Sequence, residues 1–182
     1  MDTVIGRAGG KAILTLHFTF CNFMVGILIN DKSSFEVTEK IKTIKTTLLE
    51  NGFAFGEIFS LLLTDNGGEF SNISAIENDL DGVKQSAMFF CDPYKSCQKP
   101  KVEKNHTLFR DIVPKGESFD DFTQNTVDLI FSHVNSIKRK SLNGKSPFDV
   151  FMFTYSEALV NALGLRQIAA EDVIQSPLLV KS

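Results

Sequence analysis

Ten consecutive residues, Leu61-Leu62-Leu63-Thr64-Asp65-Asn66-Gly67-Gly68-Glu69-Phe70, carry the clearest chemical potential in the chain. A leucine run ending in Thr-Asp-Asn-Gly predicts a buried strand that delivers the Asp65 carboxylate to its C-terminal edge. The glycines then release the chain into a turn. Two more acids have suitable surroundings. Asp2 opens a Thr-Val-Ile strand, and Glu103 begins the polar, helix-like stretch Glu103-Lys104-Asn105-His106. Strand acid, strand acid, helix acid is an oxygen-ligand set suited to Mg²⁺ or Mn²⁺, which keep water ligands and take up phosphate oxygens. Two such ions about 4 Å apart can activate a water or hydroxyl and stabilise the leaving oxygen of an in-line phosphoryl displacement. Singly, each acid has a plainer reading. Asp before Asn-Gly is a turn residue, a terminal acid is solvated, and a first-turn helix acid is favoured by the dipole.

The elements that must position these acids follow from patterning. Strands are predicted over 2–6, 12–18, 23–29, 59–64 and 87–91. Ser33-Ser34 begins a helix, with Glu36 placed for a capping box and Val37, Ile41, Ile44 and Leu48 on one face. Asn51-Gly52 stops it. Further helices are expected over 74–80, from Glu103 to about Asp111, and around Val127, Ile130, Phe131 and Val134. Ser146-Pro147 supplies an N-cap and a first-turn proline. Three antiparallel strands followed by helix–strand–helix–strand–helix make an α/β fold with a mixed five-stranded sheet flanked by helices. In that order the first and fourth strands are neighbours at the sheet centre, the ribonuclease H-like arrangement. Asp2 and Asp65 then lie side by side, with Glu103 approaching from a helix.

The composition is that of one ordinary globule: 182 residues, 43% apolar and 23% charged. A net charge of -3 and a pI near 5.6 argue against a general nucleic-acid binder, so any DNA contact must be local. Three cysteines without a secretory signal predict reduced thiols in the cytosol. Cys91, Cys97 and His106 match no common zinc spacing. The apolar span 12–29 is rich in β-branched and aromatic residues, and two strands joined near Cys21-Asn22 explain it better than a membrane helix.

A family resemblance extends these readings. The chain resembles the catalytic domain of bacterial DDE insertion-sequence transposases, with a retroviral-integrase-like core, and most resembles insertion-sequence family thirty. The matching segments are Met1-Asp2-Thr3-Val4, Leu63 to Phe70, Asp92 to Lys99, Glu103-Lys104-Asn105-His106, Leu108-Phe109-Arg110, Pro114-Lys115-Gly116 and Leu142 to Pro147, in the family's order. They span about residues 1 to 155, which are expected to form the catalytic core, with 156–182 as a C-terminal helical tail. The resemblance implies that Asp2, Asp65 and Glu103 are the catalytic acids and hold two Mg²⁺ or Mn²⁺ ions. It implies cleavage of a phosphodiester to free a 3′-hydroxyl that attacks target DNA, with transposon ends and target as partners in a homo-oligomeric complex. Asn66 resembles the residue beside the second acid, and Asn105 and His106 the polar pair after the third. Pro100 stands where the family commonly has glycine, and the 38 positions from Asp65 to Glu103 slightly exceed the family's usual interval.

Lys95, Lys99, Lys101 and Lys104 surround Glu103 and, with Asn66, Asn105 and His106, are expected to contact DNA. Lys138-Arg139-Lys140 reads either as a second track or as a helix C-terminus favouring cations. The expected location is the bacterial cytoplasm, on the nucleoid when bound to DNA. The family's N-terminal helix-turn-helix has no counterpart in this sequence, so a catalytic fragment or a decayed reading frame is expected. The competing readings are a remnant that binds nucleic acid or partner subunits, and a ribonuclease H-like nuclease without strand transfer.

Overall fold

The computed structural model describes residues 1–92 and 100–180, the side chains of residues 100–104 excepted. Strands β1 (Asp2–Ile5), β2 (Ala12–Phe18) and β3 (Phe23–Ile29) form an antiparallel meander in which Asp2 faces Thr15 and Thr15 faces Gly26. The apolar span doubles back at Asn22, whose φ of 60° lies in the left-handed region that Asn tolerates. Nearly every residue of β2 and β3 is buried, so both faces of this sheet are covered.

Helix α1 (Ser34–Glu50) is capped by the Ser33 hydroxyl, which accepts the Glu36 N–H at 3.1 Å. The return arm predicted for Glu36 goes elsewhere. Its Oε1 accepts the backbone N–H and side-chain amide of Asn30, both at 2.9 Å, tying the helix start to the end of β3. A one-turn helix α2 (Phe55–Ile58) occupies ground just before the predicted fourth strand. The Phe59 N–H closes that turn on the Phe55 carbonyl at 2.7 Å, so β4 is shortened to Leu61–Thr64. After α3 (Ile73–Glu77), β5 (Ala87–Phe90) pairs with β4 in parallel, Thr64 opposite Phe90. Helix α3 stops earlier than its pattern suggests because Asn78 pairs with Lys84 in an isolated bridge.

All five predicted strands are present and their directions are mixed. Their ladders divide into an antiparallel three and a parallel two. At the seam between β1 and β4 the Met1 amino group donates to the Leu63 carbonyl at 2.5 Å. Helix α4 (Pro100–Ile112) begins on the proline, whose missing N–H is no loss in a first turn. Helix α5 (Gln124–Ser136) lies against β3, and Gly26 permits its approach: a Cβ there would run into the Phe131 ring and sit 2.8 Å from Val127 Cγ1. Val127, Ile130, Phe131 and Val134 are fully buried, as predicted.

Helix α6 (Pro147–Thr154) carries a closed capping box between Ser146 and Asp149, and α7 (Glu157–Ala162) follows. The rest of the chain runs along α5 as a strap. The amides of Arg166, Ile168 and Ile174 donate to Ser132 Oγ, Ser136 Oγ and His133 Nδ1 at 3.1, 2.9 and 3.0 Å. Those three polar side chains are thereby buried with their partners supplied. Phenylalanines fill the rest of the core: Phe23 stacks on Phe151 at 4.0 Å, and Phe109 on Phe131 at 5.6 Å. Among the described residues no helix is long and apolar enough to cross a membrane.

Candidate active site

Asp2 is the first residue of β1 and is held in place. Met1 is buried beside it with its amino group on Leu63, and the Thr15 hydroxyl donates to the Asp2 carbonyl at 3.0 Å. The Asp2 side chain is 26% exposed. Its Oδ1 accepts the Thr3 N–H at 2.9 Å, and Oδ2 lies 3.8 Å from His106 Nδ1 on α4. His106 Nε2 touches the Thr15 hydroxyl at 3.2 Å. Because the single hydroxyl proton of Thr15 goes to the Asp2 carbonyl, Nε2 is the donor in that contact.

Asp65 sits one residue beyond β4, at the C-terminal edge of the parallel pair. It is exposed, and its Oδ1 accepts the Gly67 N–H at 3.1 Å, the turn geometry expected of Asp before Asn-Gly. Its Oδ2 has no hydrogen-bond partner among the described residues. The turn is braced on both sides. Cys91 N–H donates to the Thr64 carbonyl at 2.7 Å, and the exposed Asn66 donates its side-chain amide to the Cys91 carbonyl at 3.1 Å. The Met1–Leu63 bond then sets the ends of β1 and β4 beside each other, bringing the segments that carry Asp2 and Asp65 together.

Glu103 lies on α4 one turn before His106. His106 at Asp2 shows that this helix passes the β1 acid. The Glu103, Lys101 and Lys104 side chains lie outside the described residues, as do Lys95, Lys99 and Cys97 entirely. Among the described residues no three His, Cys, Asp or Glu side chains gather around one cation position. The donor chemistry of the two described acids still suits a hard cation, since both are carboxylates with partial access to solvent.

Asn105 departs from its expected DNA-binding role. It is 1% exposed and points into the protein. Its Oδ1 accepts Arg139 Nη1 at 2.6 Å, which turns its amide nitrogen toward His17 Nε2 at 2.6 Å and the Asn22 carbonyl at 3.3 Å. A side chain so enclosed locks α4 to the β2–β3 turn and is closed to nucleic acid. Arg139, the middle of the second basic cluster, is likewise 8% exposed. It donates to the Val134 and Ile137 carbonyls at 2.9 and 3.3 Å, satisfying the end of α5, and burial lowers its pKa to about 10. Of that cluster, Arg139 takes the helix-terminus reading. Arg110, two turns beyond Glu103, donates to the Ile5 carbonyl at 2.6 Å and ties α4 to the end of β1. Thr15 and His17 support the site through His106 and Asn105, and neither was marked by its local sequence.

No protein-family model matches the chain. Curated relatives do. The ORF3 protein of Spiroplasma virus SpV1-R8A2 B, named as a candidate integrase, is 28% identical over 152 residues, covering 84% of this chain and 44% of that protein. The transposase for insertion sequence element IS4351 of Bacteroides fragilis is 29% identical over 151 residues, 83% of this chain and 43% of its own. Transposase InsI for insertion sequence element IS30A of Escherichia coli (strain K12) is 33% identical over 69 residues, 38% of this chain and 17% of its own. The chain spans less than half the length of the curated relatives it matches. Among solved structures, the catalytic core domain of BIV integrase matches with a TM-score of 0.54 at 18% identity, over 84% of this chain and 93% of that one. The fold is therefore that of an integrase catalytic core, ribonuclease H-like as its element order predicts. The resemblance read from the motifs is borne out.

Proposed function

We propose, from this chain's kinship with insertion-sequence transposases, that it is the catalytic core of a metal-dependent enzyme that cuts DNA strands and joins them to a target. The observation that carries the reading is the pinning of Asp2 and the Asp65 turn to adjoining strand ends, with the Glu103 helix passing Asp2 at His106. Asp2, Asp65 and Glu103 would hold Mg²⁺ or Mn²⁺, two ions to a site. Bound there, the ions would supply the charge that activates a water or 3′-hydroxyl and relieves the leaving oxygen. The chain's own part is to keep carboxylates oriented on rigid elements and to bring phosphate to them. His106 sits where a phosphate oxygen beside Asp2 would meet its ring. Lys95, Lys99, Lys101 and Lys104 would supply local positive charge for phosphate in a chain whose net charge is -3. Transposon ends and target DNA are the substrates, and a homo-oligomer is the working form.

The test is nicking of supercoiled DNA by the purified chain at millimolar Mg²⁺ or Mn²⁺, alongside Mn²⁺ titration. Wild type is expected to bind Mn²⁺ and nick. Asp65→Asn should lower both by about 100-fold or more, the scale of losing one essential interaction. Equal Mn²⁺ binding by the two proteins defeats the reading. One observation favours a second reading, a core that docks on DNA or on full-length subunits without cutting: the Asp2 carboxylate already faces a histidine. That reading predicts a folded protein with no Mn²⁺ affinity.

A further inference from the structure

The two strand acids lie on opposite sides of the sheet's seam. β1 and β4 belong to different ladders, and the Met1 amino group, just before β1, reaches across to the Leu63 carbonyl. An unbroken ladder would fix the spacing of residues on adjacent strands, and here it does not. Glu69 occupies this seam. Its side chain is 3% exposed. Its Oε1 accepts the hydroxyl proton of Thr3, the residue after Asp2, at 2.5 Å. The same oxygen pairs with the Lys32 ammonium at 3.0 Å. Its Oε2 lies over Gly67: a Cβ on that glycine would collide with Oε2 and also come within 3.0 Å of Asp65 Oδ1. The turn that carries Glu69, Gly68–Phe70, is anchored by Phe70, which is fully buried.

A carboxylate taken out of water destabilises the fold unless a partner and hydrogen bonds compensate. Lys32 and Thr3 do so here, and each belongs to a different segment. We infer that Glu69 is a positioning residue that clamps the start of β1 to the turn after β4 and so sets the separation of Asp2 and Asp65. The inference rests on the metal-site reading of those acids. With Oε1 taken by Thr3 and Lys32, and Oε2 held against Gly67, Glu69 acts through its neighbours.

Glu69→Ala, Glu69→Gln, Thr3→Val and the Thr3→Val/Glu69→Ala double variant test this by two measurements. Amide hydrogen exchange on metal-free protein reports the clamp itself. Mn²⁺ titration followed by electron paramagnetic resonance reports its effect on the acids. Glu69→Ala is expected to speed exchange at residues 2–4 and 66–68 together by about tenfold, leaving β2 and β3 unchanged. It should weaken Mn²⁺ binding by about 10- to 100-fold. Glu69→Gln keeps an acceptor for Thr3 and should recover part of both. Adding Thr3→Val to Glu69→Ala should cost little more, because both remove the same contact. Unchanged exchange at either segment in Glu69→Ala overturns the inference. If Glu69→Ala fails to fold, Thr3→Val, which removes a single hydroxyl, decides by the same criterion. A wild type that binds no Mn²⁺ overturns the metal reading alone, and exchange still decides the clamp.

Discussion

Asn105 and Glu69 show how a residue's role depends on what closes over it. Both stand in motif text, both are polar, and a solvated or DNA-facing role suits each when read along the chain. In the fold Asn105 is enclosed by Arg139, His17 and the Asn22 carbonyl, while Glu69 is enclosed by Thr3, Lys32 and Gly67. Burial comes from segments far away in sequence, so local spacing cannot disclose it. The placement of Asp65 was legible because it is local: strand, acid, Asn-Gly turn. The enclosed amide of Asn105 has a measurable consequence. Asn105→Ala takes one hydrogen bond each from a buried guanidinium and an imidazole, and should lower stability by about 2 kcal/mol in urea unfolding. An unchanged midpoint and slope would mean that water replaces the amide.

Among the elements, the strands and long helices followed from periodicity because each buries a regular face. The one-turn helix did not. Helix α2 is one turn closed by Phe59 and held by aromatic contacts with Phe18 and Phe55, and no repeat fits in four residues. The strap after α7 carries no helical repeat: it binds through α5 hydroxyls and an imidazole and buries Leu165 and Leu179. His133 makes this strap sensitive to pH. Burial, and then the nearby Arg166 charge, lower its pKa below the ordinary 6.5. The unfolded chain therefore takes up a proton first on acidification. The stability that neutral His133 contributes is complete above pH 6.5 and declines as pH falls through its folded value. Protonation of Nδ1 also removes the acceptor for the Ile174 amide. Protection of the Ile174 amide, corrected for the intrinsic exchange rate, should fall as pH drops below 6.5 in wild type but not in His133→Gln. Equal pH responses in the two proteins would assign the effect to another group.

At the scale of the molecule, β2 and β3 are buried on both faces, and the parallel pair is more open. The outward side chains of the pair remain open: Leu61 is 71% exposed and Phe89 56%. Amides of β2 and β3 should exchange slowest, near the global unfolding limit, with those of β4 and β5 faster by about tenfold or more. Equal protection across all five strands would show that the sheet opens as one unit. The order of strands and helices carried the fold because connection rules leave few ways to close such a series. The weak join between β1 and β4 lay beyond that logic, because hydrogen-bond counts between neighbouring strands are not written in their order. Its consequence is evolutionary. A gap bridged by side chains and a single terminal contact can be respaced by one substitution, so the distance between two reactive groups can drift without disturbing the interior that keeps the protein folded.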